Sequence, residues 1–312
     1  MTGPWLRTGP CTPDMCVGAA VAGAGAARRA LRLLAAALVV LAGVSVAPAF
    51  RHARPDVRAR ATGTWARLLL RALGIHLEVI PGEPDERAGD PHERAGEPDE
   101  RAGERAAAGE LVVANHVSWL DPLVVAAAVP ARPLAKREIA AWPVVRTLAA
   151  GAGALFIDRE RLSALPSAVA AVAAALRAGD TVVAFPEGTT WCGLGMGDFR
   201  PAVFQAAIDA GAAVRPAALR YREDGRPSTR ACYVGEDSLL ASVLRVVATR
   251  RLAVEVRLLA PLRAAPPVRR PRARAVLARD AEARVRAATD GPPARGRTVA
   301  HLPKPAVSPL SS

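Results

Sequence analysis

The sequence is poor in aromatic residues and in cysteine, and each shortage excludes a class of function. Only 4% of the 312 residues are Phe, Trp or Tyr. Because the basic residues are not interleaved with aromatic rings that could stack on bases, we do not expect nucleic-acid binding. The four cysteines form no C-x2-C pair, and the five histidines form no cluster at metal-ligand spacing. The spacing predicts neither a zinc site nor a disulfide framework, and the reducing cytoplasm is the default compartment for the folded part.

Apolar and basic residues are abundant instead. Hydrophobic residues make up 51% of the chain, and the formal net charge is +13 at pH 7. The frequent alanine and arginine are typical of a GC-rich genome, so composition alone accounts for part of this charge. A charge of this sign suits anionic partners such as phosphate groups and acidic lipids. The length is enough for one large domain or two small ones.

An uncharged run over residues 33–50, inside an N-terminal segment that we place at residues 1–61, predicts a membrane anchor. A helix of this length spans about 27 Å, close to the hydrocarbon thickness of a bilayer. A cleaved signal peptide with a small-residue site at residues 47–49 is an alternative, and so is a buried helix of a soluble domain. Arginines flank the run on both sides. The charge pattern therefore fits a spanning helix and a helix that enters and leaves by the same face equally well.

The next residues predict a helix, a strand and an insertion. In residues 64–73, arginines four residues apart fit either an amphipathic helix on the membrane surface or a domain helix with one solvated face. Residues 75–80 alternate between apolar and polar, which predicts a strand. A seven-residue repeat follows in the units 83–89, 90–96 and 97–103. Because the repeat is too polar to build a core, we predict a disordered insertion over residues 83–107.

From residue 111 onward, strand-like apolar runs alternate with helix-like segments. Buried strands are predicted over residues 111–114, 154–157, 181–185, 214–221 and 252–260, and helices over residues 123–129, 142–150, 163–178, 204–210 and 238–250. This alternation predicts an α/β domain over residues 62–262, with a mixed central sheet flanked by helices. The tail, residues 263–312, is rich in Arg, Pro and Ala. It predicts one helix over residues 273–288 and disorder from residue 291 onward.

The motif Asn115-His116-Val117-Ser118-Trp119-Leu120-Asp121 lies where a predicted strand passes into a predicted helix. Within a regular helix, residues five apart point about 140° away from each other, so His116 and Asp121 meet only if the chain bends between them. If they meet, the carboxylate can fix the tautomer of the imidazole, and the other ring nitrogen can take a proton from a hydroxyl. The alternative is a buried structural histidine beside a helix-capping aspartate.

Three further motifs follow in order, and together with the first they resemble those of the glycerolipid acyltransferase family, of the 1-acylglycerol-3-phosphate acyltransferase type. They are G-A-L-F-I-D-R at residues 153–159, F-P-E-G-T-T at residues 185–190 and V-R-P-A at residues 214–217. The resemblance covers roughly residues 62 to 260. It implies the mixed α/β fold of that family, joined to the membrane-associated N-terminal helix.

The resemblance implies transfer of an acyl group from acyl-CoA or acyl carrier protein to the hydroxyl of a lysophospholipid, most simply 1-acylglycerol-3-phosphate. His116 would be the general base, and Asp121 would orient it and stabilise the imidazolium. No G-x-S-x-G motif is present, which favours direct transfer over an acyl-enzyme. The resemblance implies no metal and no tightly bound cofactor. Its expected partners are membrane lipids, and its expected location is the cell membrane with the catalytic domain on the cytoplasmic side.

The acceptor carries a phosphate group, so cations should line its site. By resemblance, Arg159 is the best candidate for that contact. Position 190 is threonine, where many members of the family have arginine, so Arg200 and Lys136 are further candidates, although a plain surface role fits both equally well. The remaining substrate-binding residues implied by the motifs, some of which are expected to contact the glycerol, are Asn115, Glu187, Gly188 and Thr189.

Other functions remain open at the level of sequence. The acceptor could be another lyso-lipid, such as a lyso-ornithine lipid or an acylated glycan lipid. Water could replace the acceptor, which would make the protein a thioesterase or a lysolipid hydrolase with the same His–Asp pair. A membrane-anchored basic protein that gathers anionic partners would explain the charge of +13 but not the four ordered motifs.

Overall fold

The structure, a computed structural model, describes residues 9–81, 109–158, 162–263 and 270–290. The predicted insertion at residues 83–107 lies outside the described residues, as does the tail from residue 291. The described strands are β1 (Ile75–Pro81), β2 (Glu110–Ala114), β3 (Arg132–Lys136), β4 (Leu155–Ile157), β5 (Val182–Ala184), β6 (Ala213–Glu223), β7 (Arg226–Pro227) and β8 (Leu252–Leu258). The described α-helices are α1 (Pro13–Cys16), α2 (Ala26–Phe50), α3 (Pro55–Leu73), α4 (Asp121–Ala128), α5 (Pro143–Gly151), α6 (Leu165–Arg177), α7 (Phe204–Ala210), α8 (Leu239–Ala248) and α9 (Arg270–Asp290).

The strands form one mixed sheet in the order β1-β8-β6-β2-β5-β3-β4, with β7 paired to β6. Strands β6, β2, β5, β3 and β4 are parallel to one another. Strand β8 runs antiparallel to β6, and β1 runs parallel to β8. The predicted fold class, a mixed sheet flanked by helices, is confirmed.

Strand β2 is central because its residues are apolar on both faces. Residues Leu111 to Ala114 are fully buried, as expected for a parallel strand covered by helices on both sides. One face contributes Val112 and Ala114 to a cluster with α3, α4 and α8. The other face contributes Leu111 and Val113 to a cluster with α6, α7 and α9. The sheet therefore separates two apolar cores.

Helix α3 is longer than predicted and begins at Pro55 rather than near residue 64. Its buried residues include Ala66, Leu69 and Leu73, which face the sheet and α4. The helix ends at Gly74, whose φ of 80° is the left-handed conformation that glycine adopts without steric cost. Of the two alternatives for residues 64–73, the structure shows a domain helix with one solvated face.

Helix α9, which the sequence places in the tail, packs against β6 and α7. Its buried residues, Ala273, Leu277, Ala281 and Val285 among them, recur every four positions. Glu282 accepts a hydrogen bond from the Phe199 backbone N at 2.8 Å. The helix is therefore part of the domain core, although the predicted domain ended at residue 262.

Helix α2 is 25 residues long, and one side of it packs on α3 and α5. The Trp65 indole N donates to the carbonyl of Val39 at 2.9 Å. Only 17% of its most apolar 18-residue stretch is buried. Leucines are exposed on the side of the helix that faces away from α3 and α5. This rules out the buried helix of a soluble domain. The helix is long and apolar enough to cross a membrane, and its exposed face favours membrane association.

Candidate active site

The candidate site lies at the carboxyl ends of β2 and β5, where ligands of parallel sheets commonly bind. The chain leaves β2 at Ala114 and enters α4 at Asp121. The bend between them brings the Nδ1 atom of His116 to 2.8 Å from the Oδ2 atom of Asp121. The sequence-predicted His–Asp pair therefore exists as a contact. Among the described residues, the Nε2 atom of His116 makes no hydrogen bond, so it is the nitrogen that can exchange a proton with a ligand.

The Asp121 carboxylate is fully buried and saturated with donors. Besides the imidazole, its Oδ2 atom accepts from the backbone N of Val117 at 2.5 Å and of Ser118 at 2.8 Å. Its Oδ1 atom accepts from the hydroxyl of Tyr221 at 2.7 Å. Hydrogen bonds to the charged form stabilise a buried carboxylate. Asp121 is thereby held in one orientation, with its Oδ2 atom toward His116.

Tyr221 is the residue that sequence reasoning missed. It belongs to β6, the strand next to β2, and lies one hundred residues from Asp121 in the chain. Burial, together with the neighbouring Asp121 carboxylate, raises the pKa of Tyr221 well above its usual value. The hydroxyl therefore keeps its proton and remains a donor. No local sequence signal marks a tyrosine for this role.

The imidazole of His116 is fixed from its other sides as well. The ring stacks on Phe185, with centroids 4.3 Å apart and an interplanar angle of 19°. The backbone N of His116 donates to the Oε1 atom of Glu187 at 2.6 Å, and its carbonyl accepts from the backbone N of Trp191 at 2.8 Å. Only 19% of the side chain is exposed. The histidine therefore has one orientation, with a narrow access to solvent.

Glu187 joins the two loops of the site. It is 4% exposed, and its second oxygen, Oε2, accepts from the backbone N of Gly197 at 2.6 Å. Burial raises the pKa of Glu187 to about 8, against the opposing effect of the two backbone hydrogen bonds. Both carboxyl oxygens thus contact the protein backbone. Its predicted contact with substrate stays a prediction.

Gly188 and Arg200, two residues that the sequence analysis singled out separately, are neighbours in the structure. Gly188 has φ of +78°, and a Cβ atom there would lie 3.3 Å from the Nε atom of Arg200. Glycine is therefore the residue that suits this turn. Both residues line a cleft that is otherwise mainly apolar, with walls from α6 and the ends of the strands, among them Ile157, Val169, Val172, Phe185 and Val203. Phe185 connects this cleft to His116.

The other predicted residues are dispersed. Both polar atoms of the Asn115 amide are bonded to the backbone of Leu219, at 2.8 and 3.0 Å, which joins β2 to β6. Lys136 is exposed at the end of β3. Thr189 is half-buried, and the hydroxyl of the next residue, Thr190, donates to the carbonyl of Tyr233. Arg159 lies outside the described residues. For these residues, the predicted contacts with substrate remain predictions.

Among the residues that the structure describes, the group with metal-ligand spacing is Cys11, Cys16 and Cys192, none of which lines the cleft. Cys192 follows Trp191, whose backbone N donates to the His116 carbonyl. The three thiols could hold a soft metal ion. The charged side chains that line the apolar cleft are the guanidinium group of Arg200 and the carboxylate of Asp158, and Phe185 connects the cleft to the His116 base.

Comparisons with known proteins show which proteins the chain is similar to. The family model described as Acyltransferase matches residues 100–220. The chain is 36% identical over 203 residues to the 1-acyl-sn-glycerol-3-phosphate acyltransferase of Neisseria meningitidis, which covers 65% of this chain and 71% of that relative. It is 37% identical over 197 residues to the lyso-ornithine lipid O-acyltransferase of Pseudomonas aeruginosa, covering 60% and 70%. The crystal structure of the 1-acyl-sn-glycerophosphate acyltransferase from Thermotoga maritima aligns with a TM-score of 0.47 and 16% identity over 80% of this chain and 95% of that one.

Proposed function

Because the chain belongs to the glycerolipid acyltransferase family and is an O-acyltransferase, we propose that it acylates 1-acylglycerol-3-phosphate to give phosphatidic acid. The acyl donor is a thioester, in which the acyl group is carried by CoA or by acyl carrier protein. A lyso-lipid as acceptor follows from the family. The choice among lyso-lipids and the chemical mechanism are the parts that we propose.

The observation that carries the mechanism is the contact of 2.8 Å between His116 and the buried Asp121. The Nε2 atom of His116 removes the proton from the acceptor hydroxyl while that oxygen attacks the thioester carbonyl carbon. The tetrahedral intermediate collapses, the carbon–sulfur bond breaks, and the imidazolium returns its proton to the departing thiolate. Asp121 stabilises the imidazolium and fixes its tautomer. The proposed chemistry uses no tightly bound cofactor, and CoA takes part only as the carrier of the acyl group.

The apolar cleft beside Phe185 supports binding of an acyl chain, since its walls are mainly hydrocarbon. Arg200 is the cation that we propose for the acceptor phosphate, because it lines the same cleft next to Gly188. Lys136 and Arg159 are further candidates from the sequence. If Arg200 binds phosphate, Arg200→Ala raises the KM for the acceptor and leaves the KM for the thioester unchanged. An equal rise in both constants would exclude this role.

A lyso-ornithine lipid is the second candidate acceptor. The identity to the lyso-ornithine lipid O-acyltransferase is 37%, and that to the 1-acyl-sn-glycerol-3-phosphate acyltransferase of Neisseria meningitidis is 36%. Position 190 is threonine rather than the arginine common in the family, and its hydroxyl is bonded to the Tyr233 carbonyl. Thr190 therefore does not offer the acceptor phosphate the cationic contact that arginine would. For this reason both acceptors are tested.

We propose that the enzyme acts at the cell membrane, with the catalytic domain on the cytoplasmic side. The exposed apolar face of α2 supports membrane attachment. Arginines flank α2 at both ends, so attachment by one leaflet and a full span fit equally well. Both acceptor and product are membrane lipids, which suits an active site close to the bilayer.

The test is release of free thiol from acyl-CoA by the detergent-solubilised full chain, with lysophosphatidic acid, with a lyso-ornithine lipid, and with no acceptor. We expect thiol and phosphatidic acid only in the first reaction. Thiol in the second reaction alone would assign the other acceptor, and equal thiol without acceptor would show a hydrolase instead. Acyl carrier protein loaded with the same chain is compared as donor.

The same assay tests the base. His116→Ala is expected to lower the rate by about 10²- to 10⁴-fold, the usual contribution of a general base. His76→Ala is the matched control, because His76 is a largely exposed histidine on β1. Near-native activity of His116→Ala, in a protein whose circular dichroism equals that of the wild type, would exclude the mechanism.

A further inference from the structure

Three of the four cysteines of the chain meet in one place, although Cys192 is far from Cys11 and Cys16 in the sequence. The sulfur atoms of Cys11, Cys16 and Cys192 all lie within 4.8 Å of one another. Cys232 is buried in the same apolar core, outside this group of three mutually close sulfur atoms. Since the chain contains four cysteines in total, a chance meeting of three of them is a poor explanation.

The cluster connects two separate segments, and Cys232 lies in a third. Cys11 precedes the short helix α1, Cys16 is its last residue, and Cys192 follows the turn that contains Glu187 and Trp191. Cys232 lies in the segment after β7, beside Tyr233, whose backbone N donates to the Val117 carbonyl at 3.0 Å. The three thiols therefore join the N-terminal segment to the segment of Cys192, whose neighbour Trp191 donates its backbone N–H to the His116 carbonyl.

We propose that these cysteines bind one Zn²⁺ ion in a structural thiolate site. Zinc is bound by cysteine sulfur at about 2.3 Å with tetrahedral geometry, which places the sulfur atoms roughly 3.8 Å apart. The observed span of three mutually close sulfur atoms fits this arrangement. A disulfide would pair two sulfurs and leave the third beside them unpaired. Each thiol that joins the ion releases one proton to solvent, because the thiolate is the ligand.

The surroundings indicate a structural rather than a catalytic ion. Cys11, Cys192 and Cys232 are buried, with exposures of 7%, 7% and 0%. Three thiolates would bind the ion, and the buried Cys232 of the same core is the residue that could supply a fourth and close the site, as is typical of structural zinc. Close backbone contacts surround it: a Cβ atom at Gly9 would lie 3.3 Å from the Thr190 carbonyl oxygen. The ion would hold the N-terminal segment against the back of the active-site loop.

The experiment uses the full chain in detergent, purified with reductant, equilibrated with Zn²⁺ and then desalted. We expect one zinc ion per chain by elemental mass spectrometry, and thiols that react with a chromogenic disulfide reagent only after chelation. In the same wild-type protein, Co²⁺ should give the near-ultraviolet charge-transfer absorption of cobalt thiolate. Thermal melts should show higher stability with zinc than after chelation, because a metal bound only by the folded state stabilises it.

Two variants locate the site. Cys16→Ser, at the least buried of the cysteines, should abolish stoichiometric zinc binding. Met15→Leu is the matched control, since it removes a neighbouring sulfur atom that is 82% exposed, and it should retain the ion. Wild-type protein without zinc after equilibration, or with its cysteines joined as disulfides when isolated from cells, would overturn the proposal. Unchanged zinc affinity of Cys16→Ser would overturn it as well.

Discussion

At the scale of single residues, the site depends on the buried carboxylate of Asp121. Two backbone amides, one imidazole and one phenol share its two oxygens. A carboxylate in water needs no such partners, but a buried one does, because desolvation penalises its charge. The consequence is that residues far from Asp121 in sequence, above all Tyr221, control how His116 is held.

The hydroxyl group of Tyr221 can be removed with little change in the shape of the side chain. Tyr221→Phe leaves the Oδ1 atom of Asp121 buried without its donor, so we expect the free energy of unfolding to fall by about 1–3 kcal/mol. The rate of acyl transfer should fall too, because the His–Asp pair loses part of its support. Chemical denaturation and the thiol-release assay measure the two effects. Tyr233→Phe is the control, since Tyr233 has no contact with Asp121, and equal stability of both variants would refute this role for Tyr221.

Glu187 should make stability depend on pH. Its pKa is raised to about 8 in the folded state, from 4.5 in the unfolded chain. Between these values the folded protein keeps a proton that the unfolded chain has lost, so rising pH favours unfolding. The contribution of Glu187 is therefore complete below about pH 4.5 and is lost as the pH rises to about 8.

The comparison of wild type with Glu187→Gln isolates this group, because glutamine keeps the shape and does not titrate. The wild-type Tm is expected to fall relative to that of the variant from pH 5 to pH 8 and to level off above pH 8. Thermal melts at intervals of one pH unit check it. Parallel curves for the two proteins across this range would show that Glu187 is ionised in the folded state throughout.

At the scale of elements, Asn115 joins the two central strands. Its amide is bonded to both backbone groups of Leu219, so β2 and β6 are held together just where the site begins. Because both polar atoms of the Asn115 amide are bonded to Leu219, they are not available for the contact with substrate that the family motif implies. A buried amide with both groups paired gains nothing from turning to a ligand.

Asn115→Ala separates the two roles. If the amide serves the strands, the variant leaves the N–H and C=O groups of Leu219 unpaired. The free energy of unfolding should then fall by roughly 1–3 kcal/mol for each unpaired group, with the acceptor KM unchanged. Calorimetry and steady-state kinetics give the two readings. A raised acceptor KM with unchanged stability would instead place Asn115 in the substrate site.

Some elements could be predicted, and others could not, for physical reasons. Strands such as β2 and β5 are apolar on both faces and were located to within a residue or two. The helix of the tail was also foreseen, but not its place in the core. Its buried face consists largely of alanines among arginines, a pattern that hydropathy does not distinguish from a solvated helix. The short helix α1 has too few residues for any periodicity to mark it.

At the scale of the whole molecule, the exposed apolar side of α2 is the feature most unlike a soluble protein. Leu34, Leu38 and Leu41 are between 57% and 62% exposed and lie on one side of the helix. The opposite side is occupied by α3 and α5. The helix therefore packs on the catalytic domain with one side and exposes apolar side chains on the other. This arrangement would hold the cleft near the lipid surface.

Replacing Leu34, Leu38 and Leu41 with serine should move the protein from the membrane fraction to the supernatant after ultracentrifugation of cell lysates. Each exposed leucine that enters lipid contributes on the order of 1.5–3 kcal/mol. Leu240→Ser is the control, because Leu240 is 68% exposed on α8. If the triple variant remained with the membranes as the wild type does, attachment would depend on other parts of the chain.

The sequence by itself determined the fold class, the family and the identity of the His–Asp pair. Those conclusions rest on local patterns, since strands, turns and the four motifs each lie within a few consecutive residues. The tertiary structure alone decided which distant groups meet. It placed Tyr221 on Asp121, brought Arg200 to Gly188, made α9 part of the core, and gathered three cysteines whose spacing predicted no metal site. Contacts between distant segments depend on how the sheet and its helices pack, and no short-range pattern encodes them.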